Sequence, residues 1–405
     1  MRSVEEHLQR VLAGVVPLSP LDHTLLDARG CVLAEDVTAP WPLPPFDNSA
    51  MDGYAVRVED VKAASDGKPV VLRVVDDVPA GYRASVPVTE GTAIRIMTGA
   101  PMPEGAEAVI PVEWTDAGMP EVRIMRDVQH GAHVRSRGDD VSLGDVVATS
   151  GTVLGPREIA LLAAVGRGRV SVHPAPRVVV LSTGSELVEP GTPLQPGLIT
   201  DSNGYTIAAA IQEAGAIAYR VGPVQDDAPT LLSTLEDQLV RADMIVTTGG
   251  VSAGAYDTVK AVLSRLGTVE FTKVAMQPGM PQGHGFLGPE QTPIFTLPGN
   301  PVSAYVSFEV FVRPVLRRML GHHRIYRPVV RAVLTETLMS PQGKRQFARG
   351  HLTVEEGRYV VRPAGGQGSH MLGAMAQANC LVVVPEDVTE VKPGTALAVL
   401  RLDEV

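Results

Sequence analysis

Cysteine is nearly missing from this chain: Cys31 and Cys380 are the 2 found in 405 residues. Two thiols so far apart supply neither a disulfide framework nor a zinc-ligand spacing, and they fit a reducing compartment. Aromatic residues are scarce too, at 4%, too few for a surface that stacks nucleic-acid bases. Positive charge is outweighed, with 35 Lys+Arg against 45 Asp+Glu and a formal net charge of -10. The broad basic field that a polyphosphate backbone needs is therefore missing, and nucleic acid is not an expected partner. No apolar run approaches the roughly 20 residues of a membrane-spanning helix, so no membrane is expected either. The N-terminus places Val4, Leu8, Val11 and Leu12 on one helical face beside Glu5 and Glu6. That is unlike the basic start and apolar run of a secretory signal, and a cytoplasmic location is the expectation. His130 with His133, and His322 with His323, lack a ligand set for a structural metal. There is no G-x-x-x-x-G-K-[ST] phosphate loop, nor a G-x-G-x-x-G after the first long apolar strand, which excludes the two commonest nucleotide fingerprints.

What is present is apolar material, 44% of residues against 20% charged, enough for packed globular units. A chain of 405 residues is too long for one ordinary core, so two to four domains are expected. After a helix at the start and a break at Pro17 and Pro20, short β-branched runs interrupted by Gly and Pro continue to about residue 172. They indicate small β-rich modules. Helical patterns at residues 4–12 and 156–162 flank this β material and suggest one domain inserted into another. From residue 176 the pattern changes to near-continuous apolar strands alternating with amphipathic helices. Strands are predicted at 177–181, 218–222, 244–247, 269–275 and 294–297, and helices at 205–214, after 226, at 258–266 and at 302–320. This is the pattern of a parallel sheet covered on both faces, which binds ligands at the carboxyl ends of its strands. Short β runs return after residue 328 and predict a small terminal β domain.

Three of the predicted strand ends run into Gly-rich polar loops: Ser182-Thr183-Gly184-Ser185-Glu186, Thr248-Gly249-Gly250-Val251-Ser252, and Pro298-Gly299-Asn300-Pro301-Val302-Ser303. Such loops free backbone N–H groups and set helix N-termini beside a bound anion. A single loop of this kind is often only a tight turn, but three on one edge point to a phosphorylated ligand. Glu186, Asp201, Asp226 and Asp257 fall in or near the same edge. Carboxylates beside phosphate suggest Mg²⁺, which takes one or two of them plus substrate oxygens; for Asp226 a helix cap is an equal reading. A second anion candidate joins Arg345 and Arg349 to Gly365-Gly366-Gln367-Gly368-Ser369. Guanidinium forks with a glycine turn and a hydroxyl suit a tetrahedral oxyanion, although in isolation the same residues describe a solvated strand. The segment Pro44-Pro45-Phe46-Asp47-Asn48-Ser49-Ala50-Met51-Asp52-Gly53-Tyr54-Ala55 stands apart. Its prolines fix the backbone and its Asp, Asn and Ser side chains favour turns, so it reads either as a structural turn or as a presented polar site.

Taken in order, that segment, Arg95-Ile96-Met97-Thr98-Gly99-Ala100-Pro101 and the three loops resemble the molybdopterin molybdenumtransferase family, which includes MoeA and the E domain of gephyrin. The resemblance spans essentially the whole chain. It implies a multidomain α/β plus β fold: a central doubly wound parallel-sheet (MogA-like) domain at 176–325, a discontinuous linker and dimerisation domain at 1–50 and 137–175, an inserted β-rich domain at 51–136, and a C-terminal small β-barrel-like domain at 326–405. The implied reaction inserts molybdate into adenylylated molybdopterin with Mg²⁺-dependent cleavage of the adenylate, releasing AMP and molybdenum cofactor. By the same resemblance Asp47, Thr98, Glu186, Asp226, Asp257 and Lys273 are catalytic, and Glu186, Asp226 and Asp257 organise the metal. Ser182, Thr183, Gly184, Thr248, Gly249, Gly250, Ser252, Pro298, Gly299, Asn300, Pro301 and Ser303 bind the pterin nucleotide, and Arg345, Arg349 and Ser369 bind molybdate. Gln277 and Met280 stand where the bacterial pattern commonly has lysines. Molybdate and tungstate, both tetrahedral dianions, are not distinguished by these residues. The implied assembly is a homodimer in which Asp47 and Thr98 reach a site on the other subunit, with an upstream adenylyltransferase and recipient molybdoenzymes as further partners. Two alternatives share part of the pattern. A molybdopterin adenylyltransferase needs only the loop-bearing domain, and a non-enzymatic scaffold of the gephyrin kind keeps the fold without the chemistry.

Overall fold

Val178, Val179, Val180 and Leu181 are fully buried because the strand Arg177–Thr183 lies inside a sheet packed on both faces. Successive side chains point to opposite sides of a strand. Val178 and Val180 join one apolar cluster, with Ile207, Ile211 and Val302; Val179 and Leu181 join another, with Leu231, Leu235, Val259 and Leu263. The computed structural model describes residues 1–225, 227–249 and 256–403, without the side chains of 256–258. It divides the chain into two compact units, Met1–Asp22, Gly30–Ala34 and Ser171–Val405 in one, His23–Arg29 and Glu35–Val170 in the other.

In the first unit a six-stranded sheet runs in the order Ile217–Val224, Arg177–Thr183, Met244–Thr248, Thr292–Leu297, Pro281–Leu287, Gly267–Lys273. The first four strands are parallel, as the doubly wound pattern predicts. The last two are antiparallel, and the strand expected at 269–275 is the outermost of them. Pro281–Leu287 escapes sequence reading because Gly283 and Gly285 break its apolar run. Glycine is required there by close approach: a Cβ on Gly285 would lie 1.9 Å from the Thr268 carbonyl oxygen, so any side chain would force the two strands apart.

The helix expected at 302–320 is three joined pieces, Pro301–Ser307, a π-helical turn Phe308–Val312, and Arg313–Met319. The π turn carries Glu309, which is 5% exposed and accepts from Arg327 Nε at 2.9 Å. Arg327 Nη1 also donates to the Leu402 carbonyl at 3.3 Å. A buried carboxylate is tolerable only with such a partner, and the pair ties the helix to the C-terminal strands. Those strands close into a barrel in the order Arg345–Glu355, Arg358–Pro363, Val329–Leu334, Ala396–Arg401, Cys380–Val384, with the last pairing back to the first. The sequence groups the N-terminal helix with the linker segments. Val4–Leu12 instead packs in the present unit, its Val4, Val11 and Leu12 sharing a cluster with Val178 and Phe311, because a stripe of apolar side chains needs an apolar partner.

The second unit holds a five-stranded sheet ordered Ala108–Pro111, Gly53–Val56, Thr92–Ile96, Val70–Val78, Glu121–Ile124. Its two faces bury separate clusters, one around Tyr54, Ala93 and Ile110 and the other around Ala55, Ile94 and Val109. The chain enters and leaves this sheet side by side, since Asn48–Ser49 pairs antiparallel with Val134–Arg135.

Candidate functional site

The four parallel strands of the first unit end on one edge, and the loops that follow three of them wall a cavity of about 590 Å³, within the range of small-molecule sites. Thr183, Glu186, Thr248, Gly249, Pro298, Gly299, Asn300 and Pro301 all line it, so the loops singled out by sequence are brought together. Gly249 has φ +91, and a Cβ on it would lie 2.5 Å from the Thr183 carbonyl oxygen. Only glycine lets these two loops meet.

Beneath the loops is a polar floor. The Ser182 hydroxyl donates to Asp201 Oδ1 at 2.9 Å, the Thr248 hydroxyl donates to Ser182 Oγ at 3.2 Å, and the Gly204 N–H donates to the same Asp201 oxygen at 2.9 Å. Asp201 is 1% exposed, and its other oxygen lies 3.4 Å from Arg220 Nη1. Arg220 also reaches both oxygens of Glu189 at 2.7 Å and stacks 4.2 Å from the Tyr205 ring centroid. Its hydrogen bond holds the Glu189 carboxyl below the usual range. Asp201 is thereby committed to orienting the floor and the start of the helix Asn203–Glu213. Among the described residues that leaves Glu186 as the uncommitted carboxylate on the cavity wall.

The fit for Mg²⁺ rests on that donor set. One carboxylate with ligand phosphate oxygens and water is a normal Mg²⁺ environment, so Glu186 fits. Among the described residues no three of His, Cys, Asp and Glu cluster as a closed metal cage. Asp226, Gly250 and Ser252 lie outside the described residues, and of Asp257 only its place in the helix Tyr256–Leu266 is described. Ser303 is buried in the first turn of Pro301–Ser307. Lys273 ends the outermost strand, opposite Pro281, and Pro281 belongs to the cavity wall.

The second anion element divides in two. Arg349 is 1% exposed. Its Nη2 donates to the carbonyls of Gly366 at 2.5 Å and Gly368 at 3.2 Å, while Nε and Nη1 have no partner among the described residues. Burial draws its guanidinium below the ordinary arginine value, yet the group stays charged. A buried cation with two unmatched N–H donors favours an anionic or acceptor partner. The segment bonded to it adjoins the cavity, for the Ser369 carbonyl accepts from Val302 N at 3.1 Å and Leu372 lines the wall. Arg345 is engaged within the protein. It pairs with Glu5 and, at 2.9 Å, with Glu386, so its charge is neutralised in fastening the N-terminal helix to the barrel.

Asp47 and Thr98 belong to the second unit. There the Thr98 N–H and hydroxyl both donate to Asp52 Oδ1 at 2.7 Å, and these bonds hold the Asp52 carboxyl below its ordinary value. Asp47 Oδ1 instead accepts from the Arg137 N–H at 2.7 Å. The carboxylate joined to Thr98 is therefore Asp52, which the sequence reading passed over. Asn203 and Arg220 were also missed. Asn203 lies two residues after Asp201, and an Asp-Ser-Asn run before a helical stretch was the available signal.

Fold and cavity define a class: a multidomain protein whose α/β domain carries a loop-walled cavity at its sheet edge, with a β-barrel that bears a buried arginine. Matches to known families cover almost all of the chain. They are the MoeA N-terminal region (domain I and II) over residues 2–166, the probable molybdopterin binding domain over 179–318, and the MoeA C-terminal region (domain IV) over 331–402. The chain belongs to the MoeA family. It is 50% identical to molybdopterin molybdenumtransferase 2 of Mycobacterium tuberculosis, over 99% of this chain and 100% of that protein. It is 42% identical to molybdopterin molybdenumtransferase 1 of the same organism, over 99% of each. The crystal structure of the molybdopterin biosynthesis MoeA protein from Pyrococcus horikosii superposes with a TM-score of 0.83 at 33% identity, covering 100% of this chain and 99% of that one.

Proposed function

We propose that this protein is a molybdopterin molybdenumtransferase: it inserts molybdate into adenylylated molybdopterin and, with cleavage of the adenylate, releases AMP and molybdenum cofactor. The observation that carries this reading is the adjacency of two anion seats, the loop-walled cavity and the half-satisfied Arg349 on the segment bonded to Val302. A reaction that joins two anions needs both. The backbone N–H groups of the loops at 182–186, 248–252 and 298–303 hold the pterin nucleotide, and Arg349 with Ser369 positions the oxyanion. Glu186, with Asp226 and Asp257, would hold Mg²⁺, which when bound offsets charge on the phosphoanhydride oxygens. Lys273, near the wall through Pro281, supplies a further positive charge. The working form is a cytoplasmic homodimer in which Asp47 and Thr98, with Asp52 bonded to Thr98, complete the site of the other subunit. Recipient molybdoenzymes and an upstream adenylyltransferase are its partners.

An adenylyltransferase would need only the α/β domain, and Arg349 on the barrel favours transfer over that reading. The deciding assay supplies purified protein with adenylylated molybdopterin, molybdate and Mg²⁺. Release of AMP together with active molybdenum cofactor is expected. ATP consumption with unadenylylated pterin would select the adenylyltransferase, and absence of both would leave a scaffold.

A further inference from the structure

Asn203 opens the helix Asn203–Glu213 and stands in the cavity wall. Its side-chain amide has a fixed orientation. Nδ2 donates to the Gly299 carbonyl at 2.8 Å, and a carbonyl can only be faced by a donor, which assigns the nitrogen to that side and the oxygen to the other. Oδ1 is buried and has no partner among the described residues. Buried polar atoms are nearly always paired, and one left open beside a cavity calls for a ligand group. The direction of this acceptor selects the chemistry it meets. Phosphate and molybdate oxygens are acceptors and would be repelled, so Oδ1 requires an N–H or O–H.

On the functional reading above, the ligand is a pterin joined through a pyrophosphate to adenosine. Adenosine offers one amino group and two ribose hydroxyls, whereas the pterin offers several ring N–H groups and an amino group along one planar edge. Gly299, the residue that fixes the amide, sits in a loop assigned to phosphate, so on this reading Asn203 stands beside the pyrophosphate. We propose that Asn203 Oδ1 receives an N–H of the pterin ring. Asn203 is thereby a specificity-determining residue that distinguishes the pterin end of the substrate from its nucleotide end.

The test is a ratio of affinities, because a ratio cancels any general loosening of the cavity. Dissociation constants for adenylylated molybdopterin and for AMP are measured with wild type, Asn203→Ala and Asn203→Asp, each checked for an unchanged melting temperature. Losing an acceptor that serves a buried donor is expected to weaken the pterin-bearing ligand about 10-fold or more in Asn203→Ala, while AMP binding stays within about 3-fold of wild type. Asn203→Asp keeps an oxygen in place but loses the bond to Gly299. Its added charge weakens both phosphorylated ligands alike, so its ratio is expected to remain near that of wild type. An unchanged ratio in Asn203→Ala, whether both ligands weaken equally or neither does, overturns the proposal by moving the contact to the nucleotide or removing it. A ratio in Asn203→Asp as poor as in Asn203→Ala also overturns it, since the link to Gly299 would then be the part that matters. Failure of the wild-type protein to bind adenylylated molybdopterin would overturn the functional reading itself, a result told apart because it needs no variant.

Discussion

Arg349 carries a charge that the protein only half satisfies. Two backbone carbonyls take Nη2, and Nε and Nη1 go unmatched in a side chain that is 1% exposed. Burying such a group costs stability, and replacing a buried ion with an apolar side chain of similar length is often neutral or stabilising. Arg349→Met is therefore expected to keep or raise the melting temperature while lowering molybdate-dependent AMP release about 10²-fold, the scale for loss of an electrostatic contact to reacting charge. A melting temperature several degrees lower, with full activity per folded molecule, would make Arg349 a structural residue. At this scale the sequence was only partly legible. Arg349 was visible as a cation near a glycine turn, but Arg345, four residues earlier, looked equivalent. Nothing local reveals that Glu5 and Glu386 neutralise one and not the other. That Asp52 is the acid bonded to Thr98 was hidden for the same reason. Which acid meets Thr98 is set by the pairing of Gly53 with Ile96 across two strands, a long-range register.

Elements were read best where periodicity was strong. The parallel strands and the three loops at their ends follow from apolar runs terminated by Gly and Pro. The strand Pro281–Leu287 was lost because its glycines, needed for close approach, imitate a loop. The helix Val4–Leu12 was found, but its docking partner was not, and that partner creates a pH response. His7 on this helix is 2% exposed, with its ring edge-on to Phe311 at 4.7 Å, and its Nδ1 is unpartnered. His284 on Pro281–Leu287 is 9% exposed. Burial draws both down to about 4; Arg2 and the neighbouring His284 act in the same direction on His7, Arg10 does so on His284, and Glu270 opposes on both. The unfolded chain takes up these protons near the ordinary value of 6.5, whereas the folded chain resists until about 4. The contribution is fully present above 6.5 and is lost as pH falls through that window, by a few kcal/mol on the order-of-magnitude scale of linkage. Urea midpoints measured from pH 7 to 4.5 are expected to fall in the wild type and to fall by roughly half as much in His7→Phe. An identical fall in a variant lacking both histidines would assign the acid response to other groups.

For the whole molecule, two compact units carry two sets of polar residues: Asp52 and Thr98 in one, the cavity and Arg349 in the other. The residue pattern showed both sets, and only the family resemblance implied that they work across subunits, because that depends on an assembly no local pattern encodes. A shared site across a twofold dimer makes a distinctive prediction. Thr98→Val removes the hydroxyl from one unit, Arg349→Met removes the cation from the other, and each homodimer is expected to be inactive. If the two variants are unfolded and refolded together, random pairing makes about half of the dimers mixed. In each mixed dimer one site collects both lesions, and the other collects Thr98 from one chain and Arg349 from its partner, both intact. Roughly a quarter of wild-type activity is then expected to return, since the two lesions do not meet in the restored site. A site built within a single chain would give a different result, for every chain in the mixture carries one lesion and no mixed dimer would recover activity. Proven heterodimers without recovery, or a monomer by light scattering at assay concentration, would therefore refute the shared-site arrangement while leaving the assignments of Arg349 and the cavity to stand on their own tests.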